Sequence, residues 1–185
     1  MSDETYIAYY DAIDDPKARA LMAACAEAIS KTNPKRLYFL FSSSGGSVDA
    51  GITLYNYLRA LPVPVTMHNT GSIDSIANVV FLAADQRFAN PHSTFLLHGV
   101  QWGFPQGAQL SAAQLQETLS RFNTSQARMA SIITARTSIQ APELDALFRQ
   151  GESKDLAFAQ SKGLIHEVRE AKIPPGAPFF ALNLA

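Results

Sequence analysis

The sequence predicts an α/β domain built on a mostly parallel sheet. Three observations carry this. The run Arg36-Leu37-Tyr38-Phe39-Leu40-Phe41 is continuously apolar instead of alternating, as in strands buried on both faces of a parallel sheet. Strand-like and helix-like segments alternate along the chain, the order that crossovers between parallel strands require. Loops of small residues, Ser42-Ser43-Ser44-Gly45-Gly46-Ser47 and Asn69-Thr70-Gly71-Ser72, follow strands and lead into helices.

Taken in order, Thr5-Tyr6-Ile7-Ala8-Tyr9-Tyr10 has the β-branched and aromatic content of a strand, and residues 11–15 with Pro16 turn the chain. Residues 17–30 place Leu21, Cys25 and Ile29 at four-residue spacing, which predicts an amphipathic helix ended by Thr32-Asn33-Pro34. After the 36–41 strand, Ile52, Tyr55 and Leu58 mark a helix over 48–61. Residues 63–68 read as a strand, 69–72 as a turn and 75–84 as a buried helix. Short strands are expected at 87–89 and 94–98, then an excursion at 99–107 bearing Trp102 and Phe104, then a long helix over 111–136. A helix at 141–149, a loop at 150–153, a short helix to Lys162 and a closing strand at 163–168 follow. Pro174, Pro175 and Pro178 suit neither a helix nor a central strand, so residues 173–185 are expected to lie extended on a surface. The prediction is one domain over 1–185, with tails at 1–4 and 173–185.

With 185 residues, 47% of them hydrophobic and 17% charged, the chain can bury a core large enough to offset its ordering entropy. The charged fraction lies below the roughly 25% of an average domain, which suggests that other subunits cover part of the surface. A net charge of −1 with no cluster of Lys or Arg argues against nucleic acid and anionic membranes as partners. The single Cys25 sits in an apolar run and reads as a buried structural thiol in a reducing compartment. Met1-Ser2-Asp3-Glu4-Thr5 is acidic where a signal peptide is basic and then apolar, and the longest apolar stretch is far below the roughly 20 residues that span a bilayer. A cytoplasmic location is therefore expected.

Three places could carry chemistry. Gly45-Gly46 lets the backbone approach another group closely; such loops cradle phosphates, make packing turns or aim an N–H at an oxyanion. Nucleotide binding is not indicated, since there is no GxGxxG and no lysine follows the glycines. Ser75 stands at the start of an apolar helix just after a turn, where a nucleophile is held at a bend and the next N–H is free; Ser72 and Asp74 also read as helix caps. His98 ends an apolar strand, but His68, His92 and His166 are comparable and composition does not choose among them. The histidines form no HxxxH pair and a single cysteine excludes thiolate zinc motifs, so no metal or other cofactor is expected.

The blocks Phe41-Ser42-Ser43-Ser44-Gly45-Gly46-Ser47-Val48-Asp49-Ala50-Gly51, Gly71-Ser72-Ile73-Asp74-Ser75-Ile76-Ala77, Arg87-Phe88-Ala89-Asn90-Pro91-His92-Ser93 and Phe95-Leu96-Leu97-His98 resemble the proteolytic subunit of the Clp protease family, as does Lys162-Gly163-Leu164-Ile165. The resemblance covers about residues 5–168. It implies a Clp/crotonase-like fold of repeated ββα units with a mostly parallel sheet and a long handle helix from Ser111. It also implies a serine endopeptidase with Ser75 as nucleophile, His98 as general base, and Gly46 and Ile76 as the oxyanion-hole N–H donors. Substrates would be peptides or unfolded proteins, cut inside a homo-oligomeric chamber of stacked seven-membered rings, with residues 99–107 lining the substrate channel.

The chain departs from the family's pattern in four places. Counting back from Gly163 puts Gly151 where the family has the acid that orients the histidine; Glu152 is the adjacent candidate, and Asp155 fits better as a helix cap. Asp74 stands where the family has a small apolar residue, and Ser44 where it has proline. The chain also starts almost at its first strand, without the family's pore-lining hairpin, so a freestanding peptidase is as well supported as one served by an AAA+ ATPase. The alternatives are a catalytically impaired scaffold or peptide-binding subunit, and a crotonase-type acyl-CoA enzyme.

Overall fold

A computed structural model describes residues 3–182. The first strand, β1 (Glu4–Tyr10), is followed by α1 (Asp15–Thr32), β2 (Arg36–Ser43), α2 (Val48–Arg59), β3 (Val65–Asp74) and α3 (Ala77–Phe81). Then come β4 (Gln86–Ala89), β5 (Thr94–Leu96), α4 (Ala112–Arg136), α5 (Ala141–Gln150), β6 (Ser153–Lys154), α6 (Leu156–Ser161), β7 (Glu167–Val168) and β8 (Phe179–Ala181). The sheet runs β6-β5-β3-β2-β1-β8, with β4 paired to β3 and β7. Every pairing is parallel except β5 with β6.

The apolar run of β2 is explained by burial on both sides: Leu37, Phe39 and Phe41 on one face and Tyr38 on the other are all buried. Helices form where they were expected and are capped by their own sequence. Asp14 accepts from the N–H of Lys17 at the start of α1, and Pro16 sits inside that first turn instead of preceding it. Asn33 ends the helix in the left-handed conformation. Ser111 and Gln114 cap α4 reciprocally, and Asp155 caps α6 through the Phe158 N–H at 2.8 Å. Cys25 lies fully buried on α1, and burial pushes its thiol up to about 12. Iodoacetamide at pH 8 is therefore expected to leave the native protein unmodified and to add one group per chain in denaturant; mass spectrometry reads the difference.

Several segments differ from expectation; the closing strand expected at 163–168 is reduced to β7 (Glu167–Val168). The turn expected at 69–72 is strand, because polar side chains replace part of the ladder. Ser42 Oγ accepts from the Ser72 N–H and donates to the Ser72 carbonyl, both at 3.1 Å, and Asn69 bonds the Gly71 N–H and the Thr94 carbonyl. The register between β2 and β3 shifts there, between Phe41 and Ser43. The helix expected at 75–84 contracts to α3, since Ser75 takes a left-handed φ of 57° that no helix continues. The C-terminal tail does more than lie on the surface. Phe179 to Ala181 add to the edge of β1, and the Tyr6 N–H donates to the Pro178 carbonyl at 2.9 Å.

The long helix α4 buries only Met129 and Ile133 among its 25 residues, so its first half stands clear of the core. Among the described residues no helix is long and apolar enough to cross a membrane.

Candidate active site

The candidate site forms where three parallel strands end side by side. β3 delivers Asp74 and Ser75, β2 delivers the glycine loop, and β5 leads into His98. The β3–β5 register sets Asp74 beside Leu96, and the Ser75 N–H donates to the Leu96 carbonyl at 2.8 Å, which holds the Ser75 turn to the strand that leads to His98. Gly45 packs against that turn so closely that a Cβ there would sit 2.7 Å from Ser75 Cβ and 2.7 Å from the Asp74 carbonyl oxygen. Only glycine fits, both for space and for its φ of +87°.

The next peptide is oriented by the chain's first loop. The Gly45 carbonyl accepts from the Ile13 N–H at 2.7 Å, and the Ser47 N–H donates to the Ile13 carbonyl at 2.7 Å. In a planar trans peptide the N–H points opposite to the carbonyl, so the Gly46 N–H points away from Ile13. Among the described residues neither that N–H nor the Ile76 N–H has a protein acceptor. Two free backbone donors thus flank the Ser75 turn, the requirement for an oxyanion hole.

Of the four histidines, two are structural. His68 is fully buried between the Tyr38 hydroxyl, 2.6 Å from Nδ1, and the Arg169 carbonyl, 2.9 Å from Nε2, and burial lowers its pKa. His166 Nδ1 accepts from the Arg87 N–H at 3.1 Å, and burial and the Arg87 charge lower its pKa. His92 lies in a turn at φ 77°. His98 is different. Its Nδ1 lies 2.8 Å from the Gly99 carbonyl, an acceptor only, so Nδ1 carries the proton and the Nε2 lone pair of the neutral ring is left free. Ser75 Oγ and His98 Nε2 have no hydrogen bond to each other or to any other described residue. Beside His98 opens a cavity of about 650 Å³, walled by Phe122, Gln126, Asp145, Phe148 and Gly151.

Glu152 is not brought to His98. Its carboxylate pairs with Lys154 Nζ at 3.2 Å and its side chain is 68% exposed. The antiparallel register of β5 with β6 sets Leu96 beside Ser153, and its continuation sets Leu97, not His98, beside Glu152. Gly151, in the left-handed C-cap of α5, lines the His98 cavity together with Gln150, whereas Glu152 does not. Nor does Asp74 cap α3, whose start has no side-chain cap bond. Among the described residues no cluster of His, Cys, Asp and Glu could hold a metal ion.

A family model described as Clp protease matches residues 1–172. The chain belongs to the Clp protease family. The ATP-dependent Clp protease proteolytic subunit 1 of Chlamydia abortus is 37% identical over 91 residues, 44% of this chain and 47% of that protein. The match therefore spans about half of that relative's length. The ATP-dependent Clp protease proteolytic subunit 2 of Borreliella burgdorferi is 28% identical over 140 residues, 75% of this chain and 69% of that protein. A ClpP1 mutant from Listeria monocytogenes shares the fold, with a TM-score of 0.74 over 90% of this chain and 92% of that chain, at 19% identity. The α/β architecture with its mostly parallel sheet is thus the fold of the Clp family.

In this Clp family chain, Asn78, which organises the site, and Arg87, which anchors the segment after α6, have roles that sequence reasoning missed. Asn78 is fully buried in α3, and its Nδ2 reaches the carbonyls of Leu96 at 2.9 Å, Ser75 at 3.0 Å and Ile73 at 3.3 Å, joining both strand ends to the Ser75 turn. The signal was available: an amide inside the apolar run Ile76-Ala77-Asn78-Val79-Val80 needs partners. Arg87 is the second. Its buried guanidinium donates to the carbonyls of Leu164, Ala84 and Gly163, which explains why Arg87 and Gly163-Leu164 recur as blocks of the resemblance. Burial lowers its pKa to about 10.

Proposed function

We propose that this chain is a serine endopeptidase subunit that hydrolyses peptides or unfolded proteins, with Ser75 as nucleophile and His98 as general base. One observation supports it above the others: a strained serine turn is surrounded by four unpaired groups of complementary role. These are a hydroxyl, an imidazole nitrogen and two backbone N–H donors. Each is what a serine hydrolase needs free. Ser75 Oγ attacks the scissile carbonyl carbon as His98 Nε2 takes its proton. The tetrahedral oxyanion accepts from Gly46 and Ile76, the imidazolium passes its proton to the leaving amine, and water then releases the acyl group by the same route. A short movement of His98 toward Ser75 starts the cycle, since contacts of this kind tighten on substrate binding.

The test is covalent labelling. A fluorophosphonate probe is expected to modify Ser75, and neither Ser75→Ala nor denatured protein should react. No labelling, together with no turnover of peptides or esters, overturns the reading. It would favour a peptide-binding scaffold, which the unbonded Ser75–His98 pair and the remote Glu152 also support.

Assembly into a homo-oligomeric chamber of stacked rings is part of the proposal. Leu115 and Leu119 on α4 are 52% and 60% exposed, and Trp102 and Phe104 in the preceding loop are exposed as well. A helix whose apolar side chains meet only water is poorly explained in a monomer. Leu115→Glu with Leu119→Glu is expected to reduce the particle mass by at least half in light scattering and to leave the melting temperature nearly unchanged. An unaltered mass counts against the handle role of α4.

A further inference from the structure

A triad carboxylate does two jobs: it accepts the Nδ1 proton to fix the ring, and it stabilises the imidazolium formed during attack. In this chain the first job is done by a backbone atom, the Gly99 carbonyl at 2.8 Å from His98 Nδ1. A neutral carbonyl orients the ring but gives its cation far less stabilisation than a full negative charge. Glu152 does not supply that charge, because it is held on Lys154 in solvent.

Asp74 is placed to supply it. It directly precedes Ser75, lies beside Leu96 in the β3–β5 register, and so stands next to the strand end from which His98 projects. Its side chain is half-buried, and no Lys or Arg among the described residues lies within salt-bridge distance of it. The charged group that acts on it is His98, whose charge favours the ionised form, and the Ser72 side chain acts in the same direction. Resting on the reading of Ser75 and His98 as nucleophile and base, we propose that Asp74 is the electrostatic positioning residue of this site, sharing the third member's role with the Gly99 carbonyl.

A cost accompanies the arrangement and supports it. Burial raises the Asp74 pKa against the opposing influence of His98 and Ser72. A carboxylate whose pKa is higher folded than unfolded destabilises the native state once pH rises above its unfolded value, and the cost grows until the folded-state pKa is passed. A residue retained only for structure would not carry that cost, whereas functional sites do.

Two measurements test the proposal. In the first, the Asp74 side-chain carboxyl is titrated by carbon NMR in the intact protein and in His98→Gln; loss of the favourable charge is expected to move the Asp74 titration upward, and identical titrations overturn the proposal without reference to activity. In the second, fluorophosphonate labelling of Ser75 is followed against pH. Asp74→Asn is expected to label at least about tenfold more slowly near neutrality, to lose the carboxylate inflection of the parent profile, and to melt no lower than the parent. Glu152→Gln is expected to keep the parent rate. Labelling of Asp74→Asn with the parent rate and profile overturns the role. Absence of labelling in the parent overturns the serine-hydrolase reading and this role with it, while the NMR titration still reports whether the two groups interact.

Discussion

Replacing Ser75 by alanine is expected to lower peptide hydrolysis by about 10⁴–10⁶-fold, which corresponds to about 5–8 kcal/mol of transition-state stabilisation. The residual rate would come from the Gly46 and Ile76 N–H groups, which still bind a developing oxyanion when water is the nucleophile. The fold should not notice the change. Ser75 Oγ makes no hydrogen bond among the described residues, so its removal leaves no partner unsatisfied, and alanine meets the left-handed φ of 57° at a cost similar to that of serine. Turnover of a fluorogenic peptide, measured alongside a thermal melt, separates the two effects. A drop in activity that merely follows a drop in melting temperature would mean that the serine is structural.

Gly45→Ala should do the opposite and damage fold and site together. The added methyl would lie 2.7 Å from the Asp74 carbonyl oxygen and 2.7 Å from Ser75 Cβ, against backbone and turn atoms that cannot swing aside, at a φ of +87°. Left-handed strain alone costs about 1–2 kcal/mol, and overpacking of a tight contact typically adds about 1–3 kcal/mol. The loop can relieve the clash only by moving away from Ser75, which carries the Gly46 N–H out of reach; a shift of about 1 Å in such a group can cost about 100-fold in rate. Gly151→Ala is the matched control. It too is left-handed, at φ +59°, but no atom lies within 4 Å of its would-be Cβ, so strain is the only cost. Denaturant melts and labelling rates of the two variants should differ clearly. Equal behaviour would show that the close packing of Gly45 on the Ser75 turn does not matter.

Much of the architecture was legible because apolar periodicity reports burial directly. The β2 run and the spacing of Leu21 and Cys25 mark buried positions, and the structure buries them. Where the reading failed, polar residues had found partners distant in sequence. Asn69 and Ser72 look like a turn until the Asn69 amide donates to the Thr94 carbonyl and Ser42, about thirty residues earlier, bonds the Ser72 backbone. The candidate site divides in the same way. The glycine loop, Ser75 and His98 stand out as ordered blocks, whereas the clamp made by Asn78 and the Gly99 carbonyl's hold on His98 depend on how strand ends meet.

By itself, the sequence determined that this protein folds as a parallel α/β domain of the Clp family, with its glycine loop, serine turn and histidine each at the end of a strand. Those properties follow from local pattern: which residues exclude water, which cap helices, and which tolerate a bend. Only the tertiary structure decided which histidine has a free nitrogen, that Glu152 turns to Lys154, and that Asp74 is half-buried without a cationic side chain to pair with. Such outcomes depend on strand register and on distances across the sheet, because a charge or hydrogen bond is assigned by its nearest partner in space, and no local pattern encodes that partner.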